Sequence, residues 1–280
     1  MAKGKITSDL EHVVLVIAGH GSSRNPQSAE ATSELTASLA TSGVFKNVLS
    51  AFVKQEPKLA DVLATINADT IVIVPNMTCR GYITTTVIPR DGVLSGARTE
   101  RPKPDGSSTQ RLFLTEPIGT DERISEKILS DIRTLMKTNG LTPEETGVLV
   151  IGHGSEKSRE SFNQTEALAR AISTSNIALE TATAFLEEAP AIPTWAQRMK
   201  ADKIIAVPFL IAAGLHGRDD IPSELGIKDT ETALKSLNDE GQAGPFTIGD
   251  RDLWYLRPIG NASVIADIVI DRAKEALEGD

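Results

Sequence analysis

Hydrophobic positions along this chain gather into short continuous runs separated by longer stretches with helical spacing. Apolar runs at 13–18, 48–53, 70–74 and 112–114 form one series, and runs at 147–151, 182–186, 203–207 and 253–256 form a second. Runs that are short and apolar at consecutive positions fit strands covered on both faces, as in a parallel sheet flanked by helices. After Pro57, Leu59, Val62, Leu63 and Ile66 keep the spacing of an amphipathic helix, and after Pro190, Ile192, Trp195, Ala196 and Met199 keep it again. Closing helices are predicted at about 121–136 and 262–277, each after a Pro-Ile-Gly sequence at 117–119 and 258–260. Polar loops are predicted at 91–110 and 223–245. The pattern predicts an α/β protein of two similar domains, each a four-stranded parallel sheet flanked by helices. Functional groups are expected at the carboxyl ends of the strands.

The two series are one pattern written twice. Ile17-Ala18-Gly19-His20-Gly21-Ser22 returns 133 positions later as Val150-Ile151-Gly152-His153-Gly154-Ser155. The same offset joins Phe52 to Phe185, Pro57 to Pro190, Ala68-Asp69 to Ala201-Asp202, Val74-Pro75 to Val207-Pro208, Gly81 to Gly214 and Ile88-Pro89 to Ile221-Pro222. An internal duplication follows, with domains expected at 1–140 and 141–280. The offset grows to 141 at the Pro-Ile-Gly sequences, so the second half has gained length between its third and fourth strands. Differences between matched positions then mark where the halves have diverged in function.

Composition narrows the classes available. A hydrophobic content of 40% over 280 residues supplies core for two medium domains. A net charge of −9 argues against nucleic acid as partner, because phosphate binding needs a basic face. The single cysteine, Cys79, excludes an internal disulfide or a cysteine-only cluster within one chain, which fits a reducing cytoplasm. The early apolar run at 13–18 is too short to span a bilayer, so no membrane association is expected.

Matched positions point to chemistry in one half. His20 and His153 each follow a buried strand between glycines. A Gly-His-Gly-Ser turn also reads as a phosphate cradle or a serine nucleophile, but the chain has no Gly-x-Ser-x-Gly elbow and no Walker lysine. After the second strand the second half carries Glu187-Glu188 where the first carries Lys54 at the position of Glu187. After the third, His216 and Asp220 stand where the first half has Ile83 and Val87. Adjacent strands would bring His153, Glu187 and His216 together, and two imidazoles with a carboxylate make a divalent-metal site with open positions. Only four histidines exist, and three occupy these turns; His12 has no assignment.

Gly-His-Gly-Ser after the first strand, Phe-Leu-Glu before a proline after the second, and His-x-x-x-Asp-Ile-Pro after the third together resemble the class II chelatases of the sirohydrochlorin branch. The resemblance covers both halves and implies the long, fused form of a unit that also occurs as a small homodimer, with the tetrapyrrole held in a cleft between the two similar domains. It implies insertion of Co2+ or Fe2+ into sirohydrochlorin without ATP, in cobalamin or sirohaem biosynthesis. No cofactor beyond the substrate metal is implied. The segment 185–190 is one residue shorter before its proline than the family pattern, which leaves Glu188 open to share the role of Glu187. The histidine-rich tail and cysteine cluster of some long members are absent.

The reaction needs ligands that replace metal-bound water and then let go, and a base for the two pyrrole protons. His153, Glu187 and His216 are the candidates for both tasks, with the division among them open. Sirohydrochlorin carries rim carboxylates, so local cations are expected around it. Lys54, Arg218 and Arg90, with His20, are the candidate substrate contacts, beside further cations at Arg80, Arg98, Arg101 and Lys103. A carrier that binds tetrapyrrole or metal without turnover is the alternative reading. Fusion of two halves in one chain points to a monomer.

Overall fold

The eight expected strands form where the apolar runs lie, and each half adds one more strand at an edge. The computed structural model describes residues 10–23, 25–211, 217, 220–261 and 263–278. In the first half the strands are β1 (Val14–Gly19), β2 (Asn47–Phe52), β3 (Thr70–Pro75), β4 (Arg98–Pro102) and β5 (Thr109–Leu114), in sheet order β2-β1-β3-β5-β4. In the second they are β6 (Thr146–Gly152), β7 (Glu180–Phe185), β8 (Lys203–Pro208), β9 (Gln242–Ile248) and β10 (Arg251–Leu256), in order β7-β6-β8-β10-β9. Each sheet is parallel except for β4 and β9, which run antiparallel to β5 and β10. Every residue of β1, β3 and β6 is buried, which is why these strands read as unbroken apolar runs.

The sheets therefore have five strands, where four were expected. The polar segments predicted as loops, 91–110 and 223–245, hold the additional strands and, in the second half, the helix α8 defined below. A physical reason lies in their composition. β4 reads Arg-Thr-Glu-Arg-Pro and buries only Thr99, because an edge strand needs backbone bonds on one side and little apolar surface. β9 contains Gly244 and Pro245, residues that argue against a strand from sequence but are tolerated at an edge. A Cβ at Gly244 would stand 2.7 Å from the Leu253 carbonyl oxygen, at a register shift in the β9–β10 pairing.

Helices cover the sheets: α1 (Glu30–Thr41), α2 (Leu59–Thr65), α3 (Ile88–Gly92), α4 (Glu122–Asn139), α5 (Glu160–Thr174), α6 (Trp195–Arg198), α7 (Ile221–Leu225), α8 (Thr230–Glu240) and α9 (Val264–Glu278). The two closing helices match the predicted ones. α4 buries Ile124, Ile128, Ile132, Leu135 and Met136, one stripe at spacings of three and four. α9 buries Ile265, Ile268, Val269 and Ala273.

Packing divides the chain at different places from the repeat. One compact unit is Met1–Asp121 with Asn261–Asp280, and the other is Glu122–Gly260, against the 1–140 and 141–280 expected from the duplication. The difference is carried by the closing helices. α9 packs against α1, β3 and β5 of the first unit, and α4 against α5 of the second. Arg272 of α9 lies 3.5 Å from Asp121, both side chains mostly buried, and fastens the helix to the first unit. Periodicity shows that a helix has a buried face, but not which sheet receives it.

Candidate functional site

The strand order places the first strand of each half between the second and third, so the turns that follow these three strands are neighbours. The Gly-His-Gly-Ser turn is built identically in both copies. A Cβ at Gly19 would stand 2.7 Å from Thr32 Oγ1 and 2.9 Å from the Phe52 ring, and Gly152 is hemmed in by Thr165 and Phe185 in the same way. Gly21 and Gly154 have φ of +66° and +77°, where side chains are strained. Neighbouring side chains also press on them: a Cβ would come within 2.6 Å of Gln55 Cβ at Gly21, and within 2.9 Å of Glu188 Cγ at Gly154.

Backbone bonds then tie this turn to the one after the second strand. Lys54 N donates to His20 O at 2.8 Å, and Glu187 N donates to His153 O at 2.9 Å. Ser22 N donates to Gln55 Oε1 at 3.1 Å, and Ser155 N to Glu188 Oε1 at 3.2 Å. Gln55 and Glu188 occupy matched positions and make the same bond, so the Glu188 oxygen acts as a clamp that an amide reproduces. The serine hydroxyls accept from backbone, Asn25 N at 3.2 Å and Lys157 N at 3.2 Å, and so order their own turns.

On this common scaffold the projecting side chains differ. In the second unit His153 Nδ1 lies 3.6 Å from Glu187 Oε2, with 37% and 56% of the side chains exposed. The same nitrogen is 3.0 Å from the Gly154 carbonyl oxygen. A carbonyl only accepts, so as a hydrogen bond this contact requires a proton on Nδ1. In the first unit the matched pair is His20 and Lys54, both exposed. Lys54 makes no side-chain ion pair among the described residues.

The turn after the third strand shows the divergence again. In the first unit Ile83 packs against the hydrophobic core and opens a π-helical turn, Ile83–Val87. In the second unit Gly217 and Asp220 are also π-helical, while the sequence candidates His216 and Arg218 lie outside the described residues. Gly217 is anchored by Tyr255 of β10, whose hydroxyl donates to the Gly217 carbonyl at 2.9 Å. Tyr255 is wholly buried, and burial pushes its hydroxyl far above the ordinary tyrosine range, so it remains a neutral donor. Leu114 is the matched residue in the first unit, one of the partly buried side chains around its core. Among the described residues, no group of three or more His, Cys, Asp or Glu side chains is arranged to hold a metal.

Most cations noted in the sequence are engaged locally. Arg90 contacts the adjacent Asp91 through Nε at 2.8 Å and through Nη2 at 2.7 Å. Arg80 is 3.5 Å from Glu116, and Arg98 is 2.6 Å from Glu100. Arg101 donates to the Gly92 and Leu63 carbonyl oxygens at 3.1 and 3.0 Å, fixing β4 beside α2, and burial lowers its pKa. Lys103 lies 2.6 Å from Asp69, whose carboxyl it holds below the usual aspartate value. Arg159, which sequence reasoning passed over, seats its guanidinium carbon 4.1 Å from the Phe162 ring centre. The signal was available: the first half has Pro26 and Ala29 at the matched positions.

Comparison with known proteins agrees with this duplicated arrangement. The CbiX family model matches twice, over residues 14–135 and 147–276. A probable sirohydrochlorin cobaltochelatase of Halobacterium salinarum is 29% identical over 273 residues, covering 94% of this chain and 91% of that protein. A sirohydrochlorin cobaltochelatase of Methanococcoides burtonii is 31% identical over 142 residues, which are 48% of this chain but 98% of that protein, so one half here answers to nearly all of it. The solved structure of CbiX, described as the terminal enzyme for biosynthesis of sirohaem in denitrifying bacteria, superposes with a TM-score of 0.65 at 22% identity, over 95% of this chain and 99% of that one. With both of its halves matched, the chain belongs to the CbiX family of chelatases.

Proposed function

We propose that this chain inserts a divalent metal ion, Co2+ or Fe2+, into sirohydrochlorin without ATP. The observation that carries the reading is the placement of Glu187 Oε2 3.6 Å from His153 Nδ1, on a scaffold whose other copy presents a lysine in place of the glutamate. One imidazole and one carboxylate at the rim of a buried strand offer a hydrated ion two replaceable ligands of intermediate softness. They hold the metal loosely enough to surrender it, unlike a closed four-ligand site. The same carboxylate, exposed and mobile about its own torsions, accepts a pyrrole proton as the metal enters the ring. His216 completes the metal-handling set in this reading, and the names of both relatives described above favour cobalt.

Lys54 is the matched counterpart of Glu187 and offers its ammonium to a substrate carboxylate, with His20 beside it. Arg218 and Arg90 are further substrate contacts in this reading, Arg90 after exchanging Asp91 for the substrate. Lys54→Ala is expected to raise KM about tenfold with kcat within about twofold. Steady-state kinetics with sirohydrochlorin as the varied substrate check this, and an unchanged KM removes Lys54 from the site.

The test of the function is anaerobic, absorbance-monitored insertion of Co2+ and of Fe2+ into sirohydrochlorin, with and without the protein. A rate well above buffer is expected for at least one metal. Tetrapyrrole binding with no acceleration would overturn the chelatase reading and leave a carrier.

A further inference from the structure

We propose that Arg159 forms an anion subsite of the second unit and takes a rim carboxylate of the tetrapyrrole, an inference that rests on the chelatase reading above. Three contacts place it. The Arg159 guanidinium carbon is 4.1 Å from the centre of the Phe162 ring. Phe162 stacks on Phe185, with centroids 5.0 Å apart and planes 19° from parallel. Phe185 in turn ends β7, packs against the space left by Gly152, and stands two residues before Glu187. The stack thus runs from the strand ends that carry His153 and Glu187 outward to a guanidinium.

The chemistry of that guanidinium is that of a donor held ready. A guanidinium over an aromatic face is attracted by the ring electrostatically, a contact that holds the head without spending its N–H groups on an acceptor. Among the described residues no carboxylate pairs with Arg159, whereas Arg80, Arg90, Arg98 and Arg272 each have one. In a chain of net charge −9 an arginine that is positioned but has no acidic partner among the described residues is well suited to bidentate capture of a carboxylate. The first half, with Pro26 and Ala29 at the matched positions, has neither the guanidinium nor the ring beneath it. The subsite therefore accompanies Glu187 in the half that carries the chemistry.

The test is equilibrium binding of metal-free sirohydrochlorin, by fluorescence titration, to the intact protein and to Arg159→Met, Arg159→Lys and Arg170→Ala. Methionine keeps an apolar stem on Phe162 and removes the charge; lysine keeps the charge and loses the fork. Arg170, exposed on α5, is the control. Expected are a Kd about tenfold weaker for Arg159→Met, an intermediate loss for Arg159→Lys, and no change for Arg170→Ala, with melting temperatures alike. KM should rise in parallel while kcat stays within about twofold. Equal Kd for Arg159→Met and the intact protein, or a loss matched by Arg170→Ala, would overturn the subsite. The insertion rate of the unmodified protein is read in the same series, so a failed chelatase reading shows as binding without turnover, apart from any difference between variants.

Discussion

At the residue scale the two adjacent glutamates separate cleanly. Glu188 accepts the Ser155 N–H, and its counterpart Gln55 makes the same bond to Ser22 with an amide oxygen. Charge is therefore dispensable there, and Glu188→Gln is expected to keep stability within about 0.5 kcal/mol and insertion rate within about twofold. Glu187 instead lies 3.6 Å from His153, and on the proposed function Glu187→Gln would remove a metal ligand and a proton acceptor together, for an expected loss of about a hundredfold in kcat. Urea denaturation and single-turnover insertion on the two variants check the contrast; a larger rate loss in Glu188→Gln than in Glu187→Gln would reverse the assignment. The sequence marked this strand mouth because Glu187 stands in the second half where the first half has Lys54. It assigned Glu187 and left open whether Glu188 shares its role, since the difference lies in which carboxylate the Gly154-Ser155 turn captures, and that depends on loop geometry.

At the element scale, the turn after β8 is held from β10. Tyr255 donates to Gly217 inside the core, and its pKa is raised by burial. A group whose folded pKa is raised contributes stability that is complete below its unfolded pKa of about 10 and declines as pH climbs beyond it. Stability should therefore fall above about pH 10, with a contribution from this group of up to about 1.4 kcal/mol per pH unit. Tyr255→Phe should cost about 1–2 kcal/mol at pH 8, by leaving the Gly217 carbonyl unbonded, and show a shallower alkaline decline. Urea melts from pH 8 to pH 11 read this, and parallel declines in both proteins would contradict it. Strands such as β1 and β6 were legible because both faces are buried. The edge strands β4 and β9 were not, because backbone pairing to one neighbour holds a polar strand that has no apolar pattern to read.

At the scale of the whole molecule, duplication was plain in the constant offset, while the partition into compact units was not. α9 completes the first unit by covering β3 and β5, so a fragment of residues 1–140 lacks part of that unit's core. Such a fragment is expected to melt without a cooperative transition, by circular dichroism; a sharp, two-state transition would show that the repeat boundary is also a folding boundary. Duplication also sets the central claim, that two copies of one scaffold have diverged into one unit bearing His153 and Glu187 and one bearing His20 and Lys54. The most direct test is the rate of Co2+ insertion into sirohydrochlorin by His153→Ala beside His20→Ala, at saturating tetrapyrrole. The account predicts a loss of about a hundredfold or more in kcat for His153→Ala, with His20→Ala within a few-fold of the unmodified protein. Equal losses in both, or a larger loss in His20→Ala, would contradict it.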